Sequence, residues 1–203
     1  MKILALQKDK LHLTKISLSN GEEVLIDNDV CRDNYLKKGD ELSEEKLNDL
    51  VFESQYQRAK SRAVWYLDRK DRTAKDLYSK LCIAGFDKKA SARVIARLTE
   101  VGLIDDRRFA ENYAIRLMES NVSVREALQK MLQKGVPYDM AKEVLAETET
   151  DENKQIEALI NKKYRTRLMA DGGKEKVYAA LIRKGFSYEA VKDALKNYIE
   201  FED

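Results

Sequence analysis

Three glycines recur along the chain at intervals of 50 residues, and each brings similar neighbours with it. The glycines are Gly85, Gly135 and Gly185. Apolar residues match four residues before each glycine, directly after it, and five and ten residues after it. In that order the matched residues are Leu81, Met131 and Leu181; Phe86, Val136 and Phe186; Ala90, Met140 and Ala190; and Ile95, Leu145 and Leu195. Agreement at several offsets indicates an internal repeat, because chance alignment of one glycine would not align its neighbours.

The spacing predicts that each repeat contains three helices, the second of which ends at the glycine. Glycine suits that position because the left-handed conformation that closes a helix costs it no Cβ clash. Thr73 and Ser123 are N-cap candidates for the second helix, each followed three residues later by an acid, Asp76 or Glu126. The third repeat has residues 171–173, Asp-Gly-Gly, at this place. One such unit cannot bury its apolar stripe alone, so we expect the three to stack into an elongated, curved solenoid.

The N-terminal segment follows a different pattern. Short stretches rich in Leu, Ile, Val and Thr predict a three-stranded antiparallel meander, with a hairpin at Asn20-Gly21. A short helix over Asp27–Leu36 should follow, and Ser43 should cap the next helix. The predicted strands are Ile3–Gln7, Leu11–Leu18 and Glu23–Ile26.

The predicted fold is therefore mainly α, with three tandem three-helix repeats and a small N-terminal β extension. A single proline in the whole chain, Pro137, is consistent with this helical content. The expected divisions are residues 1–54 for the β meander with short helices, 55–104 for repeat 1, 105–152 for repeat 2 and 153–203 for repeat 3.

Charge alternates along the chain, although the net charge is only +2. Residues 1–55 carry a net charge of −4, residues 56–104 of +7, residues 105–152 of −4 and residues 153–203 of +3. This pattern favours a molecule that touches a polyanion at two places, while its other surfaces face protein or water.

The candidate binding residues are cations of the first and third repeats. In the first repeat they are Arg58, Arg62, Arg69, Lys70, Arg72 and Lys75, and in the third they are Lys162, Lys163, Arg165, Arg167, Arg183 and Lys184. The alternative is that these rows are solvated helix faces. Aromatic residues near them could stack on bases, or could belong to the core, where we expect Trp65 above all. The other aromatics are Tyr66, Tyr78, Tyr164 and Tyr178.

Few residues suit catalysis. His12 is the only histidine and lies in a predicted strand, so no catalytic triad or histidine-ligated metal site can be assembled. No glycine-rich phosphate loop occurs, and no carboxylates are seen to converge. We therefore expect a protein that is not an enzyme and that has no metal or cofactor. Two cysteines, Cys31 and Cys82, with no secretion signal and no membrane-length apolar run, favour the reducing cytoplasm.

Several stretches resemble the family of the regulatory protein RecX over about residues 55–200. The most specific is the junction of glycine, hydrophobic residue, isoleucine and two aspartates before a phenylalanine–alanine pair. The stretches are Gly102–Ala110; Ala63–Leu67 leading to Arg72-Thr73; Leu77–Leu81; Gly85-Phe86; and the later Gly185-Phe186. The N-terminal strands resemble the extension of some longer members.

The resemblance implies a modulator of the recombinase RecA that acts in DNA recombination, repair and the SOS response. Family members bind the RecA–single-stranded-DNA filament, usually restrain its strand exchange and ATP hydrolysis, and in some cases bind DNA directly. We expect such a protein to be a monomer without a membrane partner, and to contact single-stranded DNA, with double-stranded DNA as a further candidate. Residues 119–121, Glu-Ser-Asn, stand where relatives often carry Arg or Lys, so the middle repeat is expected to face protein. The alternative is a sequence-independent DNA-binding helical protein without a recombinase partner.

Overall fold

A computed structural model of the chain describes residues 1–9, 12–196 and 198. The chain forms two compact units, Met1–Ile104 and Asp105–Asp203. Both units are dominated by helices, and the first also contains a small antiparallel sheet. The predicted fold class, mainly helical with an N-terminal β extension, is confirmed. In the part of the chain that the structure describes, no helix is both long enough and apolar enough to cross a lipid bilayer.

The sheet of the first unit is the predicted meander, with strand order β1-β2-β3 and antiparallel pairing throughout. Its strands are β1 Ile3–Lys8, β2 Leu13–Leu18 and β3 Glu23–Asp27. The predicted start of the second strand at Leu11 lies outside the described residues, and His12 is not in the strand as predicted, because its φ of 59° departs from extended backbone. Ile16, in the central strand, pairs with Leu6 on one side and Val24 on the other, and it is fully buried. The loop at Asn20-Gly21 closes the second hairpin, with a bond of 2.9 Å from the Leu18 N–H to the carbonyl oxygen of Glu22.

Two helices follow the sheet, α1 Asn28–Asp33 and α2 Glu44–Leu67. Helix α1 is shorter than the predicted Asp27–Leu36, because Tyr35 takes a positive φ of 53° that no α-helix can continue. The side chain of Asp27 caps α1 by accepting from the N–H of Asp29. Ser43 caps α2 as predicted, with its hydroxyl oxygen accepting from the Lys46 N–H at 3.1 Å.

The three repeats contain the predicted helices. Repeat 1 has α2, α3 Ala74–Ile83 and α4 Lys88–Glu100, and repeat 2 has α5 Asp106–Glu119, α6 Val124–Gln133 and α7 Tyr138–Glu147. Repeat 3 has α8 Glu152–Leu159, a π-helical turn Ile160–Tyr164, α9 Arg165–Leu168, α10 Gly173–Arg183 and α11 Tyr188–Lys196. The first helix of repeat 3 is thus interrupted, which the sequence did not indicate.

The second helix of every repeat ends in the same way. The repeat glycines have φ values of 86°, 90° and 91°, the left-handed region in which glycine avoids a Cβ clash. The residue after each glycine donates its N–H back to the carbonyl oxygen five residues earlier. These bonds join Phe86 to Leu81 at 3.2 Å, Val136 to Met131 at 3.1 Å and Phe186 to Leu181 at 3.4 Å. The side chains of the accepting residues have no exposed surface, so the turn of each repeat is attached to the apolar core.

The predicted helix caps of the first two repeats are also present. The hydroxyl oxygen of Thr73 accepts from the Asp76 N–H at 3.1 Å, and that of Ser123 accepts from the Glu126 N–H at 3.2 Å. In repeat 3 the cap of α10 is Gly172, which makes no side-chain cap bond.

Among the described residues, buried apolar side chains form four clusters, one in the β extension with the start of α2 and one in each repeat. These clusters support the four-part division, although α2 runs through its first boundary at 54/55. The division and the stacking into a curved solenoid remain predictions.

Repeats 2 and 3 belong to the second unit and contact each other directly. The Ser123 hydroxyl donates to the carbonyl oxygen of Lys184 at 2.5 Å, so the cap of α6 also satisfies the end of α10. Buried Gln155 donates to the Met118 carbonyl oxygen at 3.3 Å. A Cβ at Gly185 would lie 2.9 Å from both the Cβ of Arg125 and the hydroxyl oxygen of Ser123. Gly185 therefore serves both a backbone turn and a close approach between repeats.

Glu126 lies at the same contact. Its carboxylate is 2.6 Å from Lys130 Nζ and 3.8 Å from Lys184 Nζ. The hydrogen bond from Lys130, and the charges of Lys184 and Lys163, lower the pKa of Glu126 below its usual value, against a smaller opposing effect of burial.

We expect Gly185→Ala to destabilise the protein more than Gly85→Ala. Both glycines have nearly the same φ, but a Cβ at Gly85 would meet nothing within 4 Å. Gly85→Ala should therefore cost only the left-handed strain, about 1 to 2 kcal/mol. Gly185→Ala should add the overlap with Arg125 Cβ, about a further 1 to 3 kcal/mol. Urea denaturation followed by circular dichroism measures the difference, and equal losses would contradict the close approach.

We expect Glu126→Gln to lower the free energy of unfolding at pH 7 by roughly 0.5 to 1 kcal/mol. Because the folded-state pKa of Glu126 is depressed, its stabilisation is complete above the unfolded-state pKa of about 4.3 and is lost as the pH falls through the folded-state value. The difference between the variant and the native protein should therefore shrink as the pH falls from 7 toward 3. Glu149→Gln, in an exposed loop, is the control and should change little at either pH. A difference that persists at pH 3 would exclude the ion pair as its cause.

Candidate nucleic-acid interface

A stack of two cations and an aromatic ring lies at the end of α2 in the first unit, with Arg62 and Trp65 in the helix and Arg69 in the turn that follows it. The guanidinium carbon of Arg69 is 3.5 Å from the ring centroid of Trp65, and that of Arg62 is 5.0 Å from it. Arg69 also donates from Nη1 to the Trp65 carbonyl oxygen at 3.2 Å. Arg62 is three residues before Trp65 and so lies beside it on the helix surface. The turn after α2, with the hydrogen bond from Arg69 to the Trp65 carbonyl oxygen, brings Arg69 over the ring from the other side. The ring holds both planar cations near the surface.

Trp65 is not in the core, so the expectation that it would be buried is wrong. It is 41% exposed. The residues of α2 that face the core of repeat 1 include Ala59 and Ala63, both fully buried. Trp65 comes two positions after Ala63, which is about 200° around a helix of 3.6 residues per turn, and it therefore points to the opposite side.

Tyr66 extends the stack toward α3. Its ring meets that of Trp65 edge to face, with centroids 5.2 Å apart and planes at 74°. The guanidinium of Arg72 is 5.5 Å from the Tyr66 centroid and Lys80 Nζ is 5.9 Å from it. Lys80 was missed by sequence reasoning, because it reaches this cluster from a different helix. Arg62, Trp65, Tyr66, Arg69, Arg72 and Lys80 form what we call the α2–α3 face.

The remaining candidates of repeat 1 differ in environment. Arg58 is half-buried, with its guanidinium 5.8 Å from the ring centroid of Phe86, while Lys70 and Lys75 are exposed. Arg72 is committed within the protein: Nη1 lies 2.7 Å from Asp76 Oδ2, and its side chain is only 19% exposed. Arg72 therefore helps to hold the start of α3, and it is less available to a ligand than its neighbours.

Few cations of repeat 1 are neutralised by the protein itself. Residues 56–104 contain 12 Lys and Arg, and in this fully described stretch only Arg72 and Arg97 have a carboxylate oxygen within 4.0 Å. Repeat 2 is different, because Arg107 contacts three carboxylates, those of Glu111, Glu143 and Glu147. Most of the positive charge of repeat 1 thus has no carboxylate partner among the described residues, whereas Arg107 of repeat 2 is neutralised within its own repeat.

The β extension lines one side of a groove beside the α2–α3 face. The groove has a volume of about 510 Å³ and brings Asp27 and Asp29 of the extension near Arg58, Arg62 and Trp65 of α2. This groove has no signal in the local sequence, because it depends on how the sheet of the β extension packs on α2.

Five of the six candidates of repeat 3 are exposed and Lys184 is half-buried, but the six do not form one row. Lys162 and Lys163 lie in the π-helical turn, which adds a residue to the turn and shifts the faces of Arg165 and Arg167 relative to it. Arg167 lines a groove of about 660 Å³ with Arg183 and with Lys176, which sequence reasoning missed. Helices α9 and α10 pack closely beside this groove, since a Cβ at Gly173 would come within 1.8 Å of the Arg167 carbonyl oxygen. Lys184 instead lies near Glu126.

The tyrosines near these cations are mostly structural. The four that the sequence placed near cations are all half-buried: Tyr66, Tyr78, Tyr164 and Tyr178. All but Tyr78 pack against the core clusters of their repeats. No group of three or more His, Cys, Asp or Glu suited to a metal ion occurs in residues 1–9, 12–196 and 198.

Comparison with known proteins agrees with this architecture. The family model for the first three-helix domain of RecX matches residues 59–98. The regulatory protein RecX of Streptococcus sanguinis strain SK36 is 30% identical over 206 residues, which cover 100% of this chain and 79% of that protein. The regulatory protein RecX of Clostridium tetani strain Massachusetts is 28% identical, over 98% of this chain and 94% of that protein. A crystal structure of regulatory protein RecX superposes with a TM-score of 0.68 at 25% identity, over 95% of this chain and 100% of that one.

Fold and surface thus define a mainly helical protein of three-helix repeats that exposes unpaired cations held on aromatic rings. The chain belongs to the RecX family of regulatory proteins.

Proposed function

We propose that this protein regulates the RecA recombinase by binding the RecA–single-stranded-DNA filament, with the α2–α3 face of repeat 1 toward the DNA phosphates. Family membership supports the partner. The observation that carries the DNA contact is the Arg62–Trp65–Arg69 stack, at the centre of a repeat in which ten of 12 cations lack a carboxylate within 4.0 Å.

The stack favours phosphate binding for a physical reason. A free arginine side chain loses conformational entropy when it binds, and a guanidinium already laid against a ring loses less. Its N–H groups remain available at the edge of the plane, where they can bind a phosphate through two parallel hydrogen bonds. Contacts of this kind attract any sequence, as a protein that coats a recombination filament requires.

Repeat 3 supplies a second, weaker contact in this proposal, through Lys162, Lys163, Arg165, Arg167 and Arg183. Lys184 contributes less, because Glu126 partly neutralises it. Repeat 2 faces the recombinase in this proposal, because its net charge of −4 and residues 119–121, Glu-Ser-Asn, disfavour contact with DNA phosphates. A protein that spans more than one protomer in this way would restrain the changes coupled to ATP hydrolysis and strand exchange. It needs no catalysis and no cofactor of its own, and it would act as a monomer in the cytoplasm.

The second candidate function is sequence-independent DNA binding without a recombinase partner. The same unpaired cations favour it, since phosphate attraction needs no RecA. The two functions differ in whether the protein acts on the filament, which the second experiment below measures.

The first prediction concerns DNA alone. Arg62→Ala/Arg69→Ala/Lys70→Ala should weaken binding to an oligo-dT single strand by at least tenfold, because two phosphate contacts of the α2–α3 face and one of the adjacent, exposed Lys70 are lost. If the native protein engages about four phosphates, its log–log salt slope should be roughly −3, and the variant's should be smaller by roughly 2. Fluorescence anisotropy at several salt concentrations measures both quantities.

The control removes the same charge elsewhere: Arg116→Ala/Lys142→Ala/Lys192→Ala changes exposed cations of repeats 2 and 3 and should bind nearly as the native protein does. Equal losses in the two variants would show that net charge alone decides binding. Arg72 is left unchanged because its ion pair with Asp76 would confuse binding with stability.

The second prediction concerns the filament. The native protein should lower the ATPase rate of RecA on single-stranded DNA, saturably and at less than one molecule per RecA protomer, because each molecule is proposed to span protomers. The Arg62/Arg69/Lys70 variant should require at least tenfold more protein for the same effect. An unchanged ATPase rate with DNA binding intact would favour the plain DNA-binding protein.

A further inference from the structure

A second row of cations lies on α4, apart from the α2–α3 face. Lys89, Arg93 and Arg97 are four residues apart in succession, so they share one side of the helix. All three are exposed, and Lys88 stands beside the first of them. Only Arg97 has a carboxylate partner in this described helix, Glu100 at 2.7 Å. We call these three residues the α4 row.

The α4 row is built like the α2–α3 face. The guanidinium carbon of Arg93 lies 5.3 Å from the ring centroid of Tyr56 and 5.7 Å from that of Phe52, both on α2. In each face, therefore, the guanidinium of an exposed arginine lies against aromatic rings of α2. This arrangement orients the guanidinium and keeps its edge open to an anion.

The rings that carry Arg69 and Arg93, Trp65 and Tyr56, lie on different sides of α2. Tyr56 and Trp65 are nine residues apart, which is two and a half turns of a helix of 3.6 residues per turn. Side chains half a turn out of phase point in opposite directions. A ligand bound over Trp65 is thus not positioned to cover Tyr56 and Arg93.

The equivalent row has the opposite charge in the other repeats. Fifty residues after Lys89, Arg93 and Arg97, repeat 2 has Asp139, Glu143 and Glu147; at the first two of these places repeat 3 has Glu189 and Asp193. All five of these carboxylates are on the surface. The fold of the repeat accepts either charge at these positions, so packing does not require the cations of the α4 row.

In repeat 2, two carboxylates of the acidic row are neutralised by a cation of the same repeat. Glu143 and Glu147 bind Arg107 of α5, at 3.5 Å and 2.8 Å. The position that corresponds to Arg107 in repeat 1 is Gln57, which is neutral. Repeat 1 thus has reversed charge on the third helix, and among the described residues neither Lys89 nor Arg93 has a carboxylate within 4.0 Å.

We propose that the α4 row binds the phosphates of a second nucleic-acid segment, so that repeat 1 holds two segments at once on opposite sides of α2. The proposal rests on the proposed DNA contact of the α2–α3 face, with which it shares its construction. Phosphodiesters fit the row because successive members rise about 6 Å along the helix and can each meet a separate phosphate of one strand. The acidic row of α7 in a second copy is a disfavoured partner, since two of its three carboxylates, those of Glu143 and Glu147, are bound to Arg107.

The test is capture of a second strand. The native protein is bound to an oligo-dT strand fixed on a surface, unbound protein is washed away, and a fluorescent oligo-dT strand is added. Identical thymine sequences exclude base pairing, so retention of the second strand reports bridging by the protein. The variant Lys89→Asp/Arg93→Glu places on α4 the residues that α7 carries at the same positions, and circular dichroism checks its helix content. It should bind the fixed strand within about threefold of the native affinity and capture at least fivefold less of the second strand.

The control Lys142→Asp/Lys192→Glu makes the same change in net charge on exposed positions of α7 and α11, and should capture the second strand as the native protein does. The neutral variant Lys89→Gln/Arg93→Gln should show an intermediate loss. Undiminished capture by the α4 variant, or equal loss in the control, would overturn the proposal. A native protein that binds the fixed strand but captures no second strand overturns this inference alone, whereas failure to bind the fixed strand overturns the proposed DNA contact as well.

Discussion

Each repeat depends on one hydrogen bond that closes its second helix. The carbonyl oxygens of Leu81, Met131 and Leu181 accept from the residue that follows the repeat glycine. The bond forms only because the glycine takes a left-handed conformation, and the accepting side chain is fully buried in the core of its repeat. The third helix then starts within three residues, at an angle that the turn sets. The rest of the repeat follows from that angle, including which side of the third helix faces solvent.

The constant frame leaves the surface free to vary, and the repeats differ there. On the third helix, repeat 1 has a cation at position 93 where repeat 2 has Glu143 and repeat 3 has Asp193. Repeat 2 satisfies its acids with Arg107, while repeat 1 lays its arginines on aromatic rings. A carboxylate partner neutralises a cation, but a ring orients it and leaves its charge uncompensated. The same scaffold thus gives one repeat that pairs charges of its third helix internally and one that leaves them exposed to solvent.

The fold could be predicted from the sequence to a large extent because its signals are local. A glycine at a helix end, a hydroxyl at a helix start and an apolar residue every three or four positions act within one or two turns of chain, and the caps at Thr73 and Ser123 were predicted on that basis. The candidate site was predicted less well. Lys80 meets Tyr66 from another helix, and Arg93 meets Tyr56 from another helix, so neither contact has a signal in local spacing. The charge reversal on the third helix, however, is visible in the aligned repeats.

Periodicity along the chain was enough to establish the helical repeats and their class, since hydrogen bonds within a helix join residues four apart and apolar residues mark the buried side. Packing between elements established which cations are available. In the sequence Arg72 is indistinguishable from the neighbouring cations, but in the structure it is half-buried against Asp76. Trp65 has the hydrophobicity of a core residue, but it lies at the surface and supports two arginines. Charge and hydrophobicity belong to a residue, but exposure and ion pairing arise only where separate helices meet.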